Sequence, residues 1–346
     1  ALHALDRSGR GGAAPDDGLF TGAVGVAVAA EHVAGLLGRA DVRDRARALV
    51  LGRLDAGASA PGEAGGGFDL VSGAAGTVVG LLLLHRAWGE RALLDAATRL
   101  GDALLEAGST SPAGLSWASP GIASSAHLTG LSHGASGPAW ALAELAAATG
   151  LPGPRGAALD AVRYETACRD PVTGAWPDFR TGRPSGRRDG PPPTLWCHGA
   201  AGIGLARARI TSLLHDETCA REAEEATALV RAEVRRGLAR PDAGWSLCHG
   251  LAGTADALLT ASTGSASVGS ASVRFASVGS ASAAPATSVG DAELLAAVGR
   301  AGRDRAAAWT APDHPVGLMT GAAGVGLLHL RLARPSTASV LLLTSA

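Results

Sequence analysis

The chain has 346 residues, a formal net charge of -1 and a pI near 6.9, so its overall electrostatics give no pull towards nucleic acid or an anionic membrane. Four cysteines are too few for a disulfide scaffold, no basic-then-apolar signal peptide opens the sequence, and the longest nearly apolar run, Leu70 to Leu84, is short and interrupted by three glycines. These features predict a cytoplasmic protein without a membrane span, acting on a peptide or small molecule, with cysteines available for chemistry.

All 30 basic residues are arginine and there is no lysine, asparagine or glutamine, a bias that reads as GC-rich coding rather than function. The chain starts at Ala1 and its one methionine is Met319, as expected of a piece of a longer protein with a domain ahead of it.

In chain order, one pattern recurs six times. It reads Leu19-Phe-Thr-Gly-Ala-Val-Gly25, Leu70-Val-Ser-Gly-Ala-Ala-Gly76, Leu131-Ser-His-Gly-Ala-Ser-Gly137, Trp196-Cys-His-Gly-Ala-Ala-Gly202, Leu247-Cys-His-Gly-Leu-Ala-Gly253 and Leu318-Met-Thr-Gly-Ala-Ala-Gly324. Each copy opens an apolar stretch, such as Val78 to Leu84 or Ile203 to Ala206, predicted to be an inner helix. Small residues three apart share a helical face, where a neighbouring backbone can come close. Between copies, Asp41 to Leu54, Ala87 to Ala107 and Arg221 to Leu238 carry helical periodicity and are predicted to be outer helices. The first glycines, Gly22, Gly73, Gly134, Gly199, Gly250 and Gly321, are 51, 61, 65, 51 and 71 residues apart, room for two helices and their connections each time. The fold class that follows is all-α: an α/α toroid of six helical hairpins with inner and outer rings, in one domain over residues 1–346. Two stretches break the pattern. Thr181 to Pro193, rich in proline and glycine, is expected to be a surface loop or lid. Ser262 to Gly290 repeats Ser-Ala-Ser-Val-Gly and is expected to be a disordered low-complexity insert.

In a ring of hairpins, equivalent positions emerge at one end, so the two residues before each first glycine can be compared. They are Phe20/Thr21, Val71/Ser72, Ser132/His133, Cys197/His198, Cys248/His249 and Met319/Thr320. A lone Cys-His pair is more often packing than chemistry. Two such pairs at matching positions of successive repeats reverse that judgement. Cys197, Cys248 and an imidazole suit zinc, and three protein ligands leave an open position, as catalytic zinc sites do. By residue type His198 is as good a ligand as His249, and it could equally cap a helix or support a ligand from behind. His133, with no cysteine beside it, suits a general acid or base. Asp69, four residues before Gly73, can cap a helix or hold an imidazole. Cys168 and Cys219 lie outside the repeats and are expected to be structural.

These motifs resemble the cyclase family of lanthipeptide synthetases along nearly the whole chain. Trp196-Cys-His-Gly-Ala-Ala-Gly-Ile-Gly-Leu-Ala-Arg207, Ser246-Leu-Cys-His-Gly-Leu-Ala-Gly253, Gly130-Leu-Ser-His-Gly134 and Gly317-Leu-Met-Thr-Gly-Ala-Ala-Gly324 carry the likeness. Arg163-Tyr-Glu165 and Trp176-Pro-Asp-Phe-Arg180 are similar to the C-terminal half of the class II enzymes (LanM), which place a dehydratase domain before the cyclase. The resemblance implies zinc on Cys197, Cys248 and His249, His133 as acid/base supported by Asp69, and a dehydrated ribosomal precursor peptide as partner. It also implies the activity: addition of peptide cysteine thiols to dehydroalanine or dehydrobutyrine, forming thioether rings. The sequence departs from stand-alone cyclases at Pro193, where they carry arginine, and at His198, where they carry tyrosine. Two other readings share part of this pattern. A zinc toroid that prenylates peptide thiols needs an aromatic-lined pocket, and aromatics are 3% of this chain. A non-catalytic relative that binds zinc and peptide would share every motif.

Overall fold

A computed structural model of the chain describes residues 17–56, 67–124, 126–181, 192–264, 289–309, 311 and 313–343. These fall into two compact units. The first takes in the described residues up to Leu128 together with Ser132–Ala167; the second takes in Thr129–Leu131 and the described residues from Cys168 onward.

The first unit holds helices α1 (Ala23–Leu37), α2 (Ala40–Asp55), α3 (Ala74–Trp88), α4 (Arg91–Ala107), α5 (Ser136–Thr149) and α6 (Pro152–Cys168), with a short hairpin of β1 (Ser109–Ser111) and β2 (Gly114–Ser116) after α4. Inner helices α1, α3 and α5 pack side by side in that order, and α2 and α4 lie against α1 and α3. Burial separates the two classes. In α3 every residue from Ala74 to Leu84 is buried, and in α5 every residue from Ser136 to Ala146, as expected of helices apolar all round. In α4 burial follows Leu93, Ala96, Ala97, Gly101 and Leu104, one face of an amphipathic helix. The predicted outer helix from Ala87 starts later, at Arg91, because Ala87 belongs to α3. Gly89, at φ 73°, ends that helix with its N–H on the His85 carbonyl.

The second unit holds α7 (Ala200–Leu214), α8 (Glu217–Ala239), α9 (Leu251–Ser262), α10 (Val289–Asp304), the single turn α11 (Ala306–Trp309) and α12 (Ala322–Ala333). Here α7, α9 and α12 are the inner helices, with α8 and α10 outside them. Among the described residues the sixth repeat contributes its inner helix alone. The outer helix predicted from Arg221 begins at Glu217, where Asp216 caps it by accepting the Cys219 N–H at 2.8 Å. Most of the predicted insert, residues 265–288, and most of the predicted lid, residues 182–191, lie outside the described residues. Ser262, Val289 and Gly290, at the edges of the insert, are helical.

The Gly-x-x-Gly motif builds the turn that enters each inner helix. The first glycine is the N-cap of five of these helices. In four repeats the second donates its N–H seven residues back, Gly25 to Gly18, Gly76 to Asp69, Gly202 to Leu195 and Gly253 to Ser246, at 3.2–3.3 Å, while Gly137 and Gly324 donate to Gly134 and Gly321. That fold-back lays the loop's own backbone across the second glycine. A methyl group on Gly202 would overlap the Trp196 carbonyl, and one on Gly76 the Leu70 carbonyl. The close approach predicted from the small residues is therefore first of all to the loop itself. The neighbouring repeat comes next: Leu131 lies 2.7 Å and Leu247 2.9 Å from the positions a methyl on Gly202 or Gly324 would take.

Gly202→Ala is expected to cost about 1–3 kcal/mol in denaturant unfolding, since the obstacle is backbone. Gly326→Ala, on the open side of α12 with nothing within 4 Å, should be neutral or stabilising by up to about 1 kcal/mol.

Candidate metal centre and acid–base pair

Backbone bonds between entry turns decide which side chains meet. In the second unit the Cys197 N–H donates to the Cys248 carbonyl at 3.2 Å, and the Cys248 N–H to the Met319 carbonyl at 2.8 Å. Equivalent positions of successive repeats are thereby set side by side, and two of them are cysteine. Gly199, at φ 117°, turns the chain into α7 immediately after Cys197 and His198, with its Cβ position occupied by the Pro193 carbonyl. Ser246 accepts the His249 N–H at 3.2 Å and fixes the second turn.

Cys197, Cys248 and His249 come together: their ligand atoms lie within 4.8 Å of one another. That is close to the separations imposed on ligands of one zinc ion, each bound at about 2.0–2.3 Å. Cys197 is buried, Cys248 half-buried and His249 exposed, so the cluster opens to solvent on its imidazole side. The hydrogen bond from Cys248 lowers the Cys197 pKa to about 7 against the opposing effect of burial, with help from the Arg180 guanidinium. Cys248, as the donor, is pushed up by that bond, by burial and by the adjacent sulfur. The two thiols are thus coupled, loss of the proton from Cys197 being eased by its partner, and such a pair suits a divalent cation.

His198 stands outside this cluster. It is 2% exposed, with Nδ1 3.4 Å from the Thr129 carbonyl. Of the two histidines left equivalent by residue type, the geometry groups His249 with the thiols.

In the first unit, Asp69 and His133 pair. His133 Nδ1 is 2.9 Å from Asp69 Oδ2. The other carboxylate oxygen accepts the backbone N–H groups of Val71 and Ser72 at 2.8 Å and of Gly73 at 3.2 Å. One oxygen of Asp69 thus holds the imidazole, and the other ties together the turn that precedes α3 instead of capping the helix itself. Burial raises its pKa, but the bonds from His133, Ser72 and Val71 outweigh burial and the net shift is downward. The pairing makes Nδ1 the nitrogen that donates to Asp69 and assigns proton exchange to Nε2. Ser119 Oγ donates to the His133 carbonyl at 2.9 Å. A cavity of about 250 Å³ adjoins the pair, lined by Phe68, Trp117, Pro120 and Ile122 among others.

A family model described as Lanthionine synthetase C-like protein matches residues 2–343. The chain belongs to this family. It is accordingly a lanthionine synthetase-like enzyme, a cyclase that forms thioethers. Among solved structures, nisin cyclase is similar, with a TM-score of 0.64 and 14% identity over 96% of this chain and 80% of that one. At that identity the likeness shows the fold, the α/α toroid expected from the repeats. A comparison with curated protein sequences found no match. No described helix is long and apolar enough to cross a membrane.

Within this lanthionine synthetase C-like chain, one feature escaped the residue-type reading. Asp178, 2% exposed, grips Arg180 through both oxygens, with Nε to Oδ1 at 2.9 Å and Nη2 to Oδ2 at 2.8 Å. The Arg180 charge acts on both Cys197 and Cys248. An Asp-x-Arg directly after a proline, outside any predicted helix, was its sequence signal. Cys219 is buried with its thiol pushed up to about 12, fitting the structural role expected of it.

Because folding lowers the Asp69 pKa, its contribution is present above the unfolded value of about 3.9 and is lost as pH falls through the lower folded value. Denaturant titrations between about pH 5 and pH 2 should show wild type losing stability that Asp69→Asn lacks from the start. Asp69→Ala, which also removes the acceptor of the turn's N–H groups, should cost a further ~1–2 kcal/mol.

Proposed function

We propose that this chain is a zinc-dependent lanthipeptide cyclase that closes (methyl)lanthionine rings in a dehydrated precursor peptide. The observation that carries the zinc assignment is the convergence of two thiols and an imidazole from matching positions of neighbouring repeats. Cys197, Cys248 and His249 would hold the ion. When bound, it supplies a positive centre that keeps a substrate thiol deprotonated near neutral pH, below the free value of about 8.5.

The substrate sulfur forms a bond to the β-carbon of dehydroalanine or dehydrobutyrine. The Cα=Cβ electron pair moves towards the carbonyl, leaving an enolate, and a proton must then reach Cα. His133 gives that proton from Nε2. Asp69 on Nδ1 holds the ring in orientation. Atoms balance without a co-reactant: the proton lost from the thiol is matched by the one gained at Cα.

The cluster's exposed imidazole side gives a peptide access to it. The likeness of Arg163-Tyr-Glu165 and Trp176 to Arg180 to class II synthetases supports a dehydratase as the source of the substrate, and a cytoplasmic setting follows from where such peptides are made.

Elemental analysis of purified protein should find near one zinc per chain, lost in Cys197→Ala and in Cys248→Ala. Cyclisation leaves the mass unchanged, so it is read by protection of the peptide thiol from alkylation. His133→Ala should keep zinc and peptide binding while cyclisation falls about 10²–10⁴-fold. A well-folded wild-type protein free of zinc would sink the metal assignment. Wild-type rates in His133→Ala would remove the acid role, and a wild-type protein that binds peptide without closing rings would leave a peptide-binding relative.

A further inference from the structure

We propose that Arg180, held by Asp178, donates hydrogen bonds to the carbonyl oxygen of the dehydrated residue as that oxygen becomes an enolate. The inference rests on the cyclase reading above. It answers a need of that chemistry: when the S–Cβ bond forms, a full negative charge appears on one oxygen and stays until Cα is protonated. Fixed donors aimed at such an oxygen are among the largest contributions a protein makes to a reaction of this kind.

Two observations point to Arg180. Asp178 engages the Nε and Nη2 edge of the guanidinium, which fixes its plane and leaves Nη1 for another acceptor. The Arg180 side chain is 32% exposed, so a bound peptide can reach it. The turn is also tied to the candidate metal centre. Thr129 Oγ1 donates to the Pro177 carbonyl at 2.6 Å. The next residue, Gly130 at φ 110°, lies so close that a methyl group on it would sit 3.0 Å from both the Cys197 carbonyl oxygen and His198 Cα. One strap of two residues joins the Asp178–Arg180 turn to the Cys197–His198 turn.

The oxygen that gains charge is separated from the attacking sulfur by Cβ, Cα and the carbonyl carbon. 3-Mercaptopropionate reproduces that separation with a permanent negative charge, and 3-mercaptopropionamide reproduces it without one. Calorimetry on zinc-loaded protein should find the carboxylate bound about tenfold more tightly than the amide. Arg180→Gln should erase that preference and Arg180→Lys should keep part of it. Arg180→Gln should retain zinc and lose about 10²–10³-fold in cyclisation of a dehydrated model peptide.

A carboxylate preference that persists in Arg180→Gln overturns the proposal, as does loss of zinc in both Arg180 variants, which would make the residue part of the metal site's framework. A wild-type protein that shows the preference but closes no ring overturns the cyclase reading instead, and leaves Arg180 as the recogniser of a negative oxygen near the sulfur.

Discussion

The turns that carry Asp69 and the two Cys-His pairs take their shape from one constraint: the second glycine of the motif lies under its own loop. The N–H of Gly76, Gly202 and Gly253 reaches a carbonyl seven residues back, and the carbonyl of the residue six back fills the space a side chain would need; in the repeat of His133, Gly137 bonds to Gly134 instead. A turn folded so tightly leaves two consecutive residues at its tip, before the first glycine. Their backbone is then free to bond to the neighbouring turn instead of to their own helix. Phe20 bonds to Val71 in the first unit, Cys197 to Cys248 and Cys248 to Met319 in the second, while Leu70, one residue before its tip pair, bonds to Ser132. The adjacency of the two thiols is thus a backbone property, and the thiols themselves contribute little to it.

The buried charges pair in two ways: with a partner that is itself enclosed, or with a more exposed base, as Glu31 does with Arg43 and Asp291 with Arg231. Arg207 with Glu222, and Arg331 with Asp256, are pairs in which both members are about 0–1% exposed. Asp256 also accepts from Ser339 at 2.6 Å, and Arg331 donates to the Thr337 carbonyl at 2.9 Å. Satisfied on every side, such groups tie α9 to α12 and α7 to α8, and truncating one partner would strand a buried charge. Asp69 and Asp178 are built otherwise. Each is largely buried and held in part by backbone N–H groups, and each supports a more exposed basic side chain, His133 or Arg180. Burial of the acid fixes the position of the base.

Much of this was legible in the sequence because a six-fold repeat reports geometry as well as periodicity. Residues sharing a register position in repeats four and five must share a place in space, which is why Cys197, Cys248 and a histidine could be grouped before any coordinates were considered. Three things were not legible. The boundary between α3 and α4 fell at Gly89, because Ala87 and Trp88 suit either helix and the helical period runs through the break. The role of the second glycine was read as contact between helices, since a pattern of small residues does not say whose backbone fills the gap. Arg180 was invisible as chemistry because it occurs once, outside the repeats, where comparison of positions has no purchase.

His198 and His249 show why register alone underdetermines a site. They occupy the same position of adjacent repeats, one residue after a cysteine, yet one is buried at 2% exposure and the other is exposed. The difference comes from what lies beside each turn. Against the Cys197–His198 turn runs the strap Thr129–Gly130, close enough that a side chain at Gly130 would crowd it, and His198 turns its ring to the Thr129 carbonyl. His249 has its own N–H held by Ser246 and its ring left beside the sulfurs. The neighbour that keeps His198 apart from the cluster of Cys197, Cys248 and His249 is the one that anchors Pro177, and through it the Asp178–Arg180 turn. In the fourth repeat the imidazole is claimed by a strap that is also tied to the turn carrying an arginine whose charge reaches both thiols.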